Sequence, residues 1–234
     1  MKPRIWPILV ASAIGILILL GLGAWQVQRL GQKTALIASL EQRMGSEPIA
    51  LAEAMTKRGQ GENIEYLKIK LTGQFDPANY FRKVTSFNGD PGWEIIAPFK
   101  IEDGRFVLVD LGAIAENQPL RLSDAPQSIL GLIRFHNKGR GYFDNDNDAV
   151  GNIWYWWDAP AMLATLKTVD VSRVAPFILQ KLPNNNEREV PLAEMPKVEL
   201  ANNHLGYAIT WFGLAAALAA VAGSYMFSLR KTGA

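Results

Sequence analysis

Two runs without a charged residue, one near each end of this 234-residue chain, limit what it can fold into more than anything between them. The first, IWPILVASAIGILILLGLGAW (5–25), has Ser12 as its one polar side chain, and the second, YAITWFGLAAALAAVAGSYMFSL (207–229), is of similar length. At about 1.5 Å of rise per residue, either run as a helix crosses the roughly 30 Å hydrocarbon core of a bilayer. Pro7 falls where a helix start tolerates proline. The first run exceeds the roughly 7–15 apolar residues of a cleaved signal peptide. Its helical rhythm also continues through Val27, Leu30, Ile37, Leu40 and Met44. An uncleaved transmembrane helix is therefore expected over 5–25, continuing as helix to about 44, where Gly45 and Pro48 supply the stop. The second transmembrane helix is expected over 204–229.

Basic residues beside the spans set the orientation. Lys2 and Arg4 precede the first span, Arg230 and Lys231 follow the second, and the nine residues before Tyr207 contain neither lysine nor arginine. Arg29 and Lys33 blur the contrast at the first span, but two spans leave both termini on one side. The expected placement is a multi-pass protein of the bacterial inner membrane with cytoplasmic termini and a periplasmic central domain. In a mitochondrion that domain would face the intermembrane space.

The central domain, 45–201, is of ordinary size. YLKIKLTGQF (66–75) alternates Leu67, Ile69 and Leu71 against Lys68, Lys70 and Thr72, the pattern of a half-buried strand. Further strands are expected over 79–87, 93–101, 105–114, 128–136 and 173–182, with turns such as NGDPG and EDG between them. Short helices are expected over 48–59 and 159–167. Strands without crossover helices predict an α+β membrane protein whose domain is a mainly antiparallel open sheet or partial barrel.

Much chemistry is excluded at this level. The charges nearly balance (24 basic, 22 acidic), so no nucleic-acid partner is expected. The chain has no cysteine, which removes disulfides, thiolate metal sites and c-type haem attachment. DNDND (144–148) imitates the start of a calcium loop, but Ala149 and Tyr155 stand where the glycine and glutamate of an EF-hand belong, so a solvated loop is expected. GQG (59–61) and GRG (139–141) are too short for phosphate loops and read as turns. A catalytic triad would have to recruit His136 or His204, the two histidines. His136 beside a turn reads as a surface residue, and no enzymatic activity is expected. NIWYWWD (152–158) reads as a hydrophobic plug or interfacial belt, or else as a platform for a flat ligand or a partner.

His204 stands apart by position. With Asn202 or Asn203 capping the second span, its imidazole lies in the first helical turn, where the helix dipole disfavours an added positive charge. A neutral ring offers a lone pair to a metal. Tyr207 and Trp211 follow at helical spacing, and Trp25, Gln26 and Arg29 lie at the matching end of the first span. Two readings stand: a polar residue at ease in the interfacial layer, with Trp211 as a belt residue, or a haem site. The second pairs His204 with the iron, Tyr207, Trp211, Trp25 and Gln26 with the macrocycle, and Arg29 with a propionate.

WQVQRLGQK (25–33), GWEIIAPFKIEDGRFVLVD (92–110), NIWYWWD (152–158) and NNHLGYAITW (202–211) together resemble the surfeit locus protein 1 family over nearly the whole chain. The resemblance implies an assembly factor for haem–copper cytochrome c oxidase. Such a factor handles haem a between haem A synthase and the oxidase's catalytic subunit, with His204 as the haem-associated histidine. Family members usually carry Arg-Gly-Trp after the strand that ends here at Asp110, whereas this chain has Leu111-Gly112-Ala113, which predicts a changed surface for a partner or a propionate. The alternative is a cofactor-free accessory subunit of a terminal oxidase, with Ala216, Ala220 and Ser224 as a helix-packing face.

Overall fold

The structure is a computed structural model that describes residues 5–135, 139–166, 169–184, 190–195 and 202–232. It divides into two compact units, one made of Met1–Glu41 with Val198–Ala234 and the other of Gln42–Lys197.

The first unit is a pair of helices. Helix α1 runs Trp6–Gly45 and α4 runs His204–Thr232. Both contain stretches long and apolar enough to cross a membrane, with most of their side chains exposed as a lipid-facing helix requires. Their mutual contact uses small residues. A Cβ on Gly23 would lie 2.6 Å from the Phe212 ring, so glycine is what lets the helices approach there. Ala208 and Ala215 of α4 are buried, seven residues apart on one face. Ala216, Ala220 and Ser224 are exposed and take no part in the contact between the two helices.

The second unit is a seven-stranded sheet that closes on itself. Its strands are β1 (Lys68–Phe75), β2 (Phe81–Phe87), β3 (Asp90–Ile101), β4 (Phe106–Ala115), β5 (Gln127–Arg134), β6 (Ile153–Trp154) and β7 (Val174–Lys181), in the order β1-β5-β7-β4-β3-β2-β6. An added β1–β3 pairing, Gly73 to Ile101 through Phe75 to Phe99, joins five of them into a barrel-like ring. Most pairings are antiparallel, as expected, but β4–β7 and β2–β6 are parallel. Inward residues of alternating strands, among them Ile69, Leu71, Ile95, Phe99, Val109, Ile133 and Leu179, fill the ring together with Leu51 and Ala54 of the short helix α2 (Leu51–Gly59).

The outer face of β2, β3, β4 and β7 carries a second core. Phe81, Ile96, Leu108 and Ile178 pack there against Trp154, Trp157 and Met162, the last from helix α3 (Ala159–Thr165). Strand β4 is therefore covered on both sides, which explains its nearly unbroken apolar run from Phe106. Asp158 caps α3 by accepting from the Ala161 N–H at 3.1 Å.

Candidate functional site

The closest approach of functional groups in the helix pair joins α1 to α4. His204 Nδ1 and Gln26 Oε1 lie 2.7 Å apart, 178 residues distant in sequence. Gln26 is 8% exposed, with its amide taken out of the lipid-facing surface by this bond. A carbonyl oxygen can only accept, so with this amide orientation Nδ1 carries the hydrogen and Nε2 of the neutral ring holds the lone pair. A histidine fixed through Nδ1 by a carbonyl is the usual arrangement of a metal-ligating imidazole. Among the described residues this is the ring's single hydrogen bond.

The other expected site residues are placed around that contact. Tyr207 is more than half exposed on the flank of α4, Trp211 is half-buried one turn further on, and Ala208 takes the buried position between them. Trp25 and Arg29 line a groove of about 310 Å³ with Gln28 and Gln32, on the side of α1 that flanks Gln26. Arg29 donates to Gln32 Oε1 at 2.9 Å. The structure thus brings Gln26 and His204 together, and it gathers Trp25 and Arg29 into a separate groove. Asn203 holds the N-cap position that was expected of Asn202 or Asn203, its carbonyl accepting the first helical bond from Tyr207 N–H at 3.3 Å. The buried Asn202 Oδ1 has no hydrogen-bond partner. His136 lies outside the described residues.

Sequence reasoning missed a second constellation, on the outer face of the barrel. Lys83, Glu94 and Asp110 come from β2, β3 and β4, and their register sets Lys83 opposite Glu94 and Asp110 opposite Ile96. Lys83 and Glu94 form a close ion pair, three-quarters or more withdrawn from solvent. Burial pushes the Asp110 carboxyl up to about 7, and the nearby Glu94 charge adds to it, against the Gly112 N–H and the Lys83 charge that oppose the shift. Asp110 Oδ1 accepts from Gly112 N–H at 2.9 Å across a β-bulge. Gly112 sits at φ +98, a conformation that disfavours any Cβ. The signal in the sequence was an aspartate inside the apolar run VLVDLGAI, which alternation alone assigns to neither a core nor a surface.

Of the Leu111-Gly112-Ala113 departure, Leu111 is 3% exposed and faces the inside of the barrel, while Gly112 and Ala113 are half-buried. Ala113 is bridged on both backbone groups to Leu192, at 3.1 and 2.8 Å.

NIWYWWD also resolves into a structural role. Trp154 and Trp157 are buried, and Trp154 Nε1 donates to Asn152 Oδ1 at 2.9 Å. Phe81 meets Trp154 edge-on at 5.9 Å. Asn147 and Asp148 of DNDND hold this stretch by backbone contacts: Asn147 Oδ1 accepts from Tyr155 and Trp156 N–H, and Asp148 pairs with Ile153.

Two terminal helices long and apolar enough to span a bilayer flank, in sequence, a closed β domain, and a histidine opens the second helix, an arrangement consistent with a membrane protein. The model of the SURF1 family matches residues 13–216, and the chain belongs to that family. It is 28% identical over 230 residues to a SURF1-like protein of Rickettsia bellii, covering 94% of this chain and 91% of that one. A SURF1-like protein of Rickettsia felis is 31% identical over 209 residues, covering 86% and 88%. The human Surfeit locus protein 1 is 28% identical over 221 residues, covering 84% of this chain and 70% of that protein.

Proposed function

We propose that this chain binds haem a through His204 at the outer surface of the bacterial inner membrane and assists its insertion into the catalytic subunit of cytochrome c oxidase. The SURF1 family is known generally for cytochrome c oxidase assembly, and that role is the frame for the reading. The observation that carries it is the 2.7 Å contact between His204 Nδ1 and Gln26 Oε1, which fixes the ring and leaves Nε2 as the donor.

The residues present fit a haem. A single neutral imidazole is a normal axial ligand, the exposed rings of Trp25 and Tyr207 offer apolar faces, and Arg29 supplies a cation for a propionate. When bound, the haem supplies the iron that His204 coordinates. Gln26 sets the tautomer and aim of the ring, and the apolar helix faces keep water from it. The chain's part is binding and hand-off, with both termini cytoplasmic and the β domain periplasmic. Haem A synthase is the donor and the oxidase's catalytic subunit the acceptor.

The test is an absorption spectrum of the full chain, purified in detergent from a host that also produces haem A synthase. The wild type is expected to carry a haem a spectrum and His204→Ala to lose most of it. An unchanged spectrum in the variant removes His204 from the mechanism. A protein that co-purifies stoichiometrically with oxidase and carries no pigment would instead be a cofactor-free accessory subunit.

A further inference from the structure

Strand β4 changes neighbours partway along one edge. Up to Asp110 that edge pairs in parallel with β7, with Asp110 opposite Gln180. Beyond the bulge it meets residues 190–195, a strap that returns after β7 has ended at Lys181. Ala113 N–H donates to the Leu192 carbonyl at 3.1 Å, and Leu192 N–H to the Ala113 carbonyl at 2.8 Å. Among the described residues these two bonds are all that pair the strap with the barrel. Gly112 makes room for it: a Cβ there would stand 2.1 Å from the Leu192 carbonyl oxygen and 2.7 Å from the Ala193 Cα. The Gly112 N–H, freed by the bulge, is taken by Asp110 Oδ1 at 2.9 Å. A carboxyl group that is 8% exposed thus holds the backbone turn on which the strap lies.

The groups around Asp110 set its charge against the docked strap. Strand β3 brings Glu94 and β2 brings Lys83, already joined to each other as an ion pair. Strand β7 brings the uncharged Gln180, whose Oε1 accepts from Arg134 Nη1 of β5 at 2.9 Å, with Glu65 3.9 Å from the Arg134 Nε. Strand β6 brings no charge, and Asp158 is engaged in capping α3. The strap itself, VPLAEM, carries only the exposed Glu194. Glu187, Arg188, Glu189, Lys197 and Glu199 flank it in sequence, outside the described residues. Burial, and then the Glu94 charge, push the Asp110 carboxyl up to about 7, while the Gly112 N–H and Lys83 pull the other way. Water reaching the carboxyl favours its ionised form. Strand β3 is laddered to β4 all along Gly92–Lys100, whereas the strap hangs on two bonds, so the strap is the wall that opens first. We propose that the 190–195 strap is a pH-sensitive latch, docked on β4 while Asp110 is protonated and released from Ala113 as Asp110 ionises. Residues 190–195 are the last described stretch of the β domain before α4 begins at His204, so release slackens the domain's C-terminal tether.

Hydrogen exchange of the full chain in detergent, corrected for the intrinsic pH dependence of amide exchange, reads the latch at the Ala113 and Leu192 amides. The docked state holds the raised carboxyl value, so docking is strongest below about 4 and weakens as pH rises to about 7. Protection of the two amides is therefore expected to fall at least tenfold from about pH 5 to about pH 7 and to level off above. In Asp110→Asn, which keeps the acceptor for Gly112 N–H but cannot ionise, protection should stay flat over that range. Urea at about 1 M separates local release from global unfolding: exchange at the two amides should barely respond, while that of the β3–β4 ladder quickens. Wild-type protection that is independent of pH overturns the proposal, as does an equal fall in Asp110→Asn. Exchange of the two amides at the rate and urea dependence of the β3–β4 ladder overturns it too, since the strap would then open only with the barrel.

Discussion

Replacing Asp110 with asparagine separates the charge of this buried side chain from its shape. Asparagine keeps Oδ1 to accept from Gly112 N–H, and its amide donates to Glu94 where a protonated carboxyl now does. The Asp110 carboxyl moves from 3.8 to about 7 on folding, roughly three units. At 1.36 kcal/mol per unit, ionising it in the native state costs up to about 4 kcal/mol. The folded value is raised, so the native protein holds more protons than the unfolded chain between about 4 and 7, and stability falls as pH rises through that window. Above 7 the loss is complete and constant. Asp110→Asn removes the penalty, so it should gain little at pH 4 and up to about 4 kcal/mol at pH 8. Urea titrations of the full chain in detergent, followed by tryptophan fluorescence, read this as a midpoint difference between the two proteins. With m near 2 kcal/mol/M, that difference should widen by about 1–1.5 M between pH 5 and pH 8. Titrating groups remote from Asp110 are common to both proteins and cancel, and Glu94 and Lys83 beside it titrate as one unit with it. An equal difference at the two pH values would refute the idea that Asp110 is driven toward its neutral form.

Gly112→Ala should destabilise the β domain by at least about 2–3 kcal/mol in the same titration, because φ is +98 and the new Cβ would stand 2.1 Å from the Leu192 carbonyl oxygen. Asn147→Ala should cost about 1–2 kcal/mol by leaving Tyr155 and Trp156 N–H without their acceptor, and hydrogen exchange at those two amides should quicken. Gln26→Leu is expected to retain His204 but loosen its ring, so haem a should still bind with a several-fold faster loss and a broadened spectrum. A spectrum and off-rate identical to wild type would mean the amide plays no part.

Legibility in the sequence followed periodicity. The two spans were readable because a bilayer demands long uncharged helices, and α1 ends at Gly45 beside the expected stop. Strands β1–β5 and β7 were readable because one face of each meets a core, as Ile69 and Leu71 show. Strand β6 was not, since two residues carry no period, and the parallel β4–β7 pairing was hidden because apolar patterns do not encode direction. The candidate site divides in the same way. His204 drew notice through its position at a helix start, whereas its bond to Gln26 depends on how two helices 178 residues apart rotate against each other. That rotation is set by where Gly23 admits the Phe212 ring and where Ala208 and Ala215 allow close approach.

By itself the sequence determined the two long apolar helices, most strands and the histidine at the start of the second helix, because an apolar environment or a core imposes local patterns on residue type. Only the tertiary structure decided that Gln26 meets His204, that Lys83, Glu94 and Asp110 share one face of a barrel, and that DNDND clamps a loop. Those are contacts between distant segments, and their geometry is fixed by packing and register, which leave no repeat in either segment alone.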